Sequence, residues 1–464
     1  MFDTSQARKA PGTGPHRRWR IALLAATAIA LALVLSLCAT LPSGRDTSTR
    51  GTDAWGAPAE PSLGWGLTHT QYSADAGDPG AKETARRALS ARSLPQNQHI
   101  MGWGANNPEP SPGRYDFAAL DSRIGLIRET GGTPVITLCC APDWMKGGRP
   151  GHTDWSRRSL ETAPRPEHYD DFAALAATVA ERYPDVRHFI VWNEFKGFFD
   201  DSRKRWNYEG YTELYNKVHQ ALKKVNKNNL VGGPYLNMDS FAPGRTSHAS
   251  ILKGPWGSVD QRVLDAFDYW NTHKAGADFA VVDGSSYTHD DGTPPDQFRS
   301  VDKFTAIGRW VQERTSLPLW WAEYYVEPGA DSDRDRWSES HRKALQAAGM
   351  AAMVRGGATT GFYWNPQKRG GQCYGCLWRS TELTDGSGGA PLPMLDLVRR
   401  FHSEFPPGTT YRPVDVASDA PNVRVLADDK VVLVVNTLDR AVRAEIDGRT
   451  VNMDAYEVLW LRRP

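Results

Sequence analysis

Past residue 62 the chain alternates short apolar runs with amphipathic stretches. The runs at 64–67, 99–103, 134–139, 188–192, 230–232, 279–285, 317–322 and 359–364 are short enough to predict strands. Between them Phe172, Leu175, Ala176, Val179, Ala180 and Tyr183 recur on one helical face, as do Tyr211, Leu214, Tyr215, Val218, Leu222 and Val225. Phe117, Leu120, Ile124 and Ile127 mark another helix, which stops at Gly131-Gly132-Thr133-Pro134. Eight strands separated by helices predict an α/β fold, a (β/α)8 TIM barrel spanning 63–405. A doubly wound open sheet alternates too, but the first strand-to-helix turn lacks a Gly-rich phosphate loop.

After Pro406-Pro407-Gly408 the pattern shortens. Runs at 423–426, 431–436, 442–446 and 456–461 are separated by Asp428-Asp429, Leu438-Asp439 and Asp447-Gly448, which read as turns. Residues 406–464 therefore predict a small antiparallel β domain.

The N-terminus has another character. Residues 1–20 carry five basic side chains against Asp3, and 21–41 hold no charge. As a helix, 21–41 would span about 31 Å, a bilayer's hydrocarbon thickness. The expectation is a cytoplasmic tail (1–20), one transmembrane anchor (21–41), a Pro/Gly/Ser/Thr-rich flexible linker (42–62) and a body outside the cell membrane. A cleaved signal peptide, giving a secreted protein, is the other reading. Either route exports the body to an oxidising compartment, where Cys373 and Cys376 are expected to form a disulfide stapling a loop at the barrel mouth. Cys139 and Cys140 are expected to be buried free thiols. Four zinc ligands, or a redox pair at Cys373/Cys376, are the weaker alternatives.

Composition narrows the function. Lys plus Arg number 55 against 54 Asp plus Glu, a net charge of +1 with no field to gather nucleic acid. Seventeen Trp offer flat faces suited to sugar rings, although most must serve the core. The chemistry gathers at predicted strand ends. The fourth runs His188-Phe-Ile-Val-Trp192-Asn193-Glu194 and the seventh Leu317-Pro-Leu-Trp-Trp-Ala-Glu323. An apolar run ending in a carboxylate is awkward for a core and apt for a site. Two such carboxylates suit glycoside hydrolysis, one protonating the leaving oxygen and the other attacking the anomeric carbon.

On these residues the chain resembles clan A of the glycoside hydrolases, retaining enzymes on a (β/α)8 barrel. Val231-Gly232-Gly233-Pro234 and the stretch from Pro110 to Phe117 are similar to family 39, with its β-xylosidase and α-L-iduronidase relatives. The resemblance implies Glu194 as acid/base, Asn193 on the sugar's 2-hydroxyl, Glu323 as nucleophile, Tyr287 near that nucleophile and Trp364 under the reacting sugar. Phe195 stands where the clan usually has Pro, and Cys139-Cys140 is an unusual pair at the third strand's end. Trp103, Trp144, His69 and Asn237, at other strand ends, are candidate subsite residues, and His289 a loop or substrate contact.

The chemistry implies an ionised Glu323 and a Glu194 carboxyl raised enough to stay protonated at neutral pH. It needs no metal or organic cofactor. The expected partners are an oligo- or polysaccharide outside the cell and the membrane through 21–41; oligomeric state, sugar and linkage are left open. The rival from another class is a surface-anchored carbohydrate-binding barrel with little or no catalysis. A metal-dependent deacetylase or amidohydrolase would need a ligand cluster around His69, which stands alone in the sequence. The acidic run Asp331-Ser-Asp333-Arg-Asp335 lacks the spacing of a calcium loop and reads as solvated.

Overall fold

The computed structural model describes residues 60–290, 296–326, 337–366, 373–418 and 422–463. The predicted tail, anchor and most of the linker lie outside the described residues, as does the acidic run at 331–335. No described helix is long and apolar enough to cross a membrane.

Eight parallel strands close a barrel: β1 (Gly64–Thr68), β2 (Pro95–His99), β3 (Thr133–Leu138), β4 (His188–Val191), β5 (Leu230–Asn237), β6 (Phe279–Asp283), β7 (Leu319–Trp321) and β8 (Ala358–Trp364). Each is followed by a long helix: α1 (Pro79–Ser90), α2 (Ala118–Glu129), α3 (Tyr169–Arg182), α4 (Tyr208–Val225), α5 (Gln261–His273), α6 (Asp302–Gln312), α7 (Glu339–Arg355) and α8 (Pro393–Glu404). The ring closes where β1 pairs with β8, Gly64 opposite Thr360 through Thr68 opposite Trp364.

The second strand corrects the sequence reading. Of the apolar run at 99–103 only His99 is in β2; the rest is the loop after it, with Gly102, Trp103 and Gly104 at positive φ. The strand itself is Pro-Gln-Asn-Gln-His, buried along its whole length. Gln96 and Asn97 take their partners from neighbouring elements. Gln96 Oε1 lies 2.7 Å from His69 Nε2, Asn97 donates to Thr68 Oγ1 at 3.1 Å, and Thr137 donates to Asn97 Oδ1 at 2.9 Å. A buried polar group must find such a partner, and a barrel wall can supply it from both neighbouring strands. Hydropathy patterning has no means of finding a strand like this.

The opposite part of the barrel interior is apolar: Val135, Ile190, Phe279, Val281, Trp320 and Phe362 pack there with Tyr235 and Ala322. Gly232 makes room, since a Cβ at that position would lie 2.1 Å from the Phe279 ring. The last linker residues are not free chain. The carbonyl of Glu60 accepts from His188 Nε2 at 2.8 Å, and that of Pro61 from Trp320 Nε1 at 2.9 Å.

The C-terminal residues form two three-stranded antiparallel sheets. One has the order β9 (Val416–Ser418), β12 (Val442–Ile446), β13 (Arg449–Met453), and the other β10 (Val423–Ala427), β11 (Val431–Asn436), β14 (Val458–Arg462). The sequence reading lacked β9 and β13, the latter mostly polar and exposed. β11 shows no alternation because both its faces are covered. Val432 and Val434 join the core between the two sheets, while Leu433 and Val435 join the barrel's own core, on the side where β11 meets α7.

One buried cation ties β2 to the loops above it. Arg123, on α2, is 1% exposed and bonds Asp75 Oδ2 at 2.7 Å, Gln98 Oε1 at 2.8 Å and the Gln71 carbonyl at 3.1 Å. Gly104 lies so close that a Cβ there would sit 2.2 Å from Arg123 Nη2. Removing one partner of a buried pair strands the other. Arg123→Met is expected to destabilise the protein by about 3–5 kcal/mol, read from urea unfolding midpoints. A change under about 0.5 kcal/mol, the range of an ordinary surface substitution, would refute this role.

Candidate functional site

The parallel strands aim their C-terminal ends at one face, and three carboxylates meet there. Glu194 follows β4, Asp283 ends β6 and Glu323 follows β7, with oxygens from the three groups all within 4.8 Å of one another. Asp283 is fully buried and Glu323 is 3% exposed. The turn carrying Glu194 is strained. Trp192, Glu194 and Phe195 have φ of 69°, 49° and 53°, the left-handed region that side chains other than Gly rarely occupy. Such residues persist only where their surroundings over-determine them. Here Trp192 is buried and donates through Nε1 to the Lys196 carbonyl at 2.8 Å. Phe195 lies over Tyr211, ring centroids 4.0 Å apart, and Tyr211 in turn donates to the Val191 carbonyl at 2.9 Å. The unusual Phe195 thus clamps the turn to α4.

Glu323 collects donors. Tyr325 donates to Oε2 at 2.5 Å, and Tyr235 to Oε1 at 3.0 Å, with Asn193 Nδ2 at 3.4 Å from Oε1. Glu194 is held differently: its Oε2 pairs closely with the Lys196 ammonium and its Oε1 accepts from Asn237 Nδ2 at 3.1 Å. Lys196 also reaches Asn193 Oδ1 at 3.3 Å and Glu161 Oε1 at 3.6 Å.

The resting charges reverse the expectation from sequence. Burial pushes the Glu194 carboxyl up, but the Lys196 charge and hydrogen bonds involving Asp283, Lys196 and Asn237 outweigh it and hold it below the usual carboxylate value. Burial and then the Glu194 charge push Glu323 up to about 7, against the pull of Lys196, Tyr325 and Tyr235. Burial and the charges of Glu194 and Glu323 raise Asp283 well above the ordinary range. Lys196, two residues past the acid, is the reason for the reversal, and its orientation onto Glu194 follows from the strained turn rather than from any sequence pattern.

A cavity of about 470 Å3 opens over the pair. Asn193, Glu194, Glu323, Trp364 and Trp103 line it, as expected. Trp103 meets Trp364 edge-on at 6.1 Å, and His99 lies 4.7 Å from Trp103 with no hydrogen-bond partner for either ring nitrogen among the described residues. Other predicted residues lie elsewhere. Trp144 is buried and donates to the Glu109 carbonyl at 2.9 Å, so its indole is structural. His69 is locked between Ser73 and Gln96, and burial followed by the Arg123 charge lowers it to about 4. His289 is an exposed partner of Asp239 at 3.5 Å, outside the cavity lining. Tyr287 also stands outside that lining, and the tyrosines bonded to Glu323 are Tyr235 and Tyr325.

Sequence reasoning missed Lys196, Asp283, Tyr235, Tyr325 and the rim residues Gln71, Trp155, Arg157 and Glu161. Asp283 had a signal: like Glu194 and Glu323, it follows an apolar strand. Trp155, 48% exposed at the rim, had none. Cys373 and Cys376 form a disulfide, and Tyr363 on β8 donates to the Gly375 carbonyl between them at 2.6 Å. Cys139 and Cys140 are free and buried.

The geometry can be set beside known proteins. The β-xylosidase of Caldicellulosiruptor saccharolyticus is 25% identical over 237 residues, covering 48% of this chain and 43% of that protein, so the likeness takes in less than half of either. The solved GH39 enzyme from Xanthomonas axonopodis pv. citri is 18% identical, with a TM-score of 0.48, over 82% of this chain and 72% of that one. A monomeric β-xylosidase from Caulobacter crescentus CB15 is 17% identical, with a TM-score of 0.48, over 82% and 74%. Residues 106–358, more than half of the chain and including all three clustered carboxylates, match Glycosyl hydrolases family 39, and to that family this chain belongs.

Proposed function

We propose that the protein is a retaining O-glycosidase that cleaves an oligo- or polysaccharide by double displacement, with Glu323 as nucleophile and Glu194 as acid and base. The carrying observation is the spacing. Oxygens of the two glutamates approach within 4.8 Å, nearer the ~5–5.5 Å between carboxyl groups that suits direct attack than the ~6.5–9.5 Å that admits a water. The role assignment rests on strand position and on the donors. Three neutral donors around Glu323 strengthen as it becomes an anion aimed at the anomeric carbon, and Asn193, beside both groups, is placed for a sugar hydroxyl.

The reversed resting charges fit this scheme because the two glutamates are coupled. The Glu194 charge is the second cause of the rise at Glu323. Once Glu194 holds a proton, that cause vanishes and Glu323 can ionise. Like charges this close titrate as a pair, and the proton's position decides the roles. A leaving oxygen arriving at Glu194 must displace Lys196, and Glu161 is the carboxylate within its reach. Trp103 and Trp364 offer faces for the sugar. The protein is further proposed to act outside the cytoplasmic membrane, anchored by residues 21–41; their length and basic flank support this.

Glu323→Gln is expected to abolish turnover of every glycoside that the wild type cleaves. Glu194→Gln is expected to slow substrates with poor leaving groups by about 10²–10⁴-fold while sparing glycosylation by a dinitrophenyl glycoside. Added azide then rescues Glu194→Ala with a product of retained configuration and Glu323→Ala with an inverted one. The opposite pairing exchanges the roles, and undiminished hydrolysis in both variants would mean that this site is not the catalytic one.

The charge pattern also sets a stability test. A carboxyl raised in the folded state favours folding at low pH, and that advantage fades between the unfolded value of 4.5 and the folded value of about 7. Wild type therefore carries a burden at pH 8 that Glu323→Gln lacks. The variant's melting temperature should match wild type near pH 4 and exceed it near pH 8; an equal difference at both would contradict the assignment. For location, the intact chain is expected in washed membranes with its body open to added protease, whereas a soluble form starting near residue 40 would indicate a cleaved signal.

A further inference from the structure

The glutamate pair leaves one question open. Lys196 keeps Glu194 ionised at rest, yet the first step needs a proton from Glu194. We propose that Asp283 is the proton-holding partner of Glu194: a positioning residue that stores the proton passed through Glu194 to the leaving oxygen and takes it back in the second step. This rests on the glycosidase reading and adds to it the source of the proton.

The argument begins with hydrogen bonding. Asp283 is fully buried at the end of β6, and no donor group among the described residues reaches either of its oxygens. A carboxylate buried without a donor is among the most costly arrangements in a protein. Its neighbour is the Glu194 carboxylate, close enough for a side-chain hydrogen bond. Two carboxyl groups bond only when one of them keeps a proton. The surroundings decide which. Lys196 touches Glu194, and Asn237 donates to it, so the anion sits there. Asp283 is faced by Glu194 and Glu323 across the site and by Asp239 beyond β5, with the phenols of Tyr235 and Tyr325 near it. Lys303 of α6, fully buried and without a hydrogen-bond partner for Nζ among the described residues, is lowered by burial to about 8; its charge pulls against the rise at Asp283, and burial with the charges of Glu194 and Glu323 outweighs it. The proton belongs on Asp283.

The steps balance. As the sugar's leaving oxygen displaces Lys196, the Asp283 O–H bond breaks and its proton joins Glu194. Glu194 gives a proton to the leaving oxygen, which takes the electrons of the anomeric C–O bond while Glu323 forms the new bond. In the second step water gives a proton to Glu194 and its oxygen to the anomeric carbon. Glu194 returns a proton to Asp283, and Glu323 leaves as a carboxylate. No co-reactant is needed.

Asp283→Asn keeps the shape and can still donate to Glu194, but it has no proton to give. On the full-length protein, kcat/KM for a methoxyphenyl glycoside is expected to fall about 100-fold or more, with dinitrophenyl glycoside cleavage nearly unchanged. The basic limb of the residual pH profile should move to lower pH, where Glu194 alone can hold a proton. Adding Lys196→Met in that background should move it back. Infrared difference spectra at pH 9, where Glu323 is ionised, should show a protonated carboxyl band in wild type that Asp283→Asn lacks. A missing band overturns the proposal whatever the kinetics. So does an equal loss on both substrates, the signature of a merely structural role. Wild type that cleaves no glycoside, with the band present, would overturn the glycosidase reading and the relay with it, a result distinct from either.

Discussion

Three carboxyl groups held within 4.8 Å of one another, two of them buried and the third mostly so, cannot all be ionised. The barrel creates that constraint by ending β4, β6 and β7 on acids at one face. Everything else near the site distributes the resulting charge. One ammonium, from Lys196, fixes an anion on Glu194. Two phenols and an amide wait on Glu323, and Asp283 is left with no donor among the described residues. A site so arranged holds protons that a solvated carboxylate would have lost at neutral pH, and proton storage is what an acid/base reaction at the anomeric centre requires.

The constraint is costly, and the rest of the fold offsets it. Residues forced into the left-handed region cost on the order of 1–3 kcal/mol each, and Trp192, Glu194, Phe195 and Tyr235 are all there. Their rings are the clamps. Trp192, Phe195 and Tyr235 are fully buried, so three of the four strained backbone positions carry an aromatic payload in the core. Substituting Gly would relieve the dihedral and lose the packing that orients Glu194. This part of the chain thus trades local strain for side-chain precision.

What the sequence made legible follows from which forces are local. Seven of the eight barrel strands lie within a few residues of their apolar runs, because a strand covered on both faces is apolar unless its neighbours supply hydrogen-bond partners. The pair Glu194 and Glu323 stood out for the same reason, as charges where such runs stop. β2 was misplaced because its burial is satisfied by hydrogen bonds from β1 and β3, partners distant in sequence. His69 and Trp144 were assigned to subsites by strand position alone; their ring nitrogens are engaged elsewhere, His69 with Ser73 and Gln96 and Trp144 with a backbone carbonyl. Tyr235 was hidden at the end of a glycine-rich strand.

The reversed charges on the two glutamates show why chemistry is harder to read than position. Burial raises both carboxyls, and on that ground alone Glu194 would stay protonated as the clan's acid should. Lys196 decides otherwise, and it does so because a turn bent through positive φ folds its ammonium back over the carboxylate two residues earlier. In extended chain the two side chains would point the same way but would still have water between them, and the interaction would be screened. The same pair, mostly buried in the site, sets the resting protonation of the cluster. Substrate binding must then do electrostatic work before any bond breaks: it has to part Lys196 from Glu194. A sugar whose leaving group fills the space between the Lys196 ammonium and Glu194 does that work as it docks, whereas a smaller ligand leaves the ion pair closed and the proton on the far side. On the proposed roles, this charge arrangement would favour a glycoside whose leaving group parts the ion pair over water.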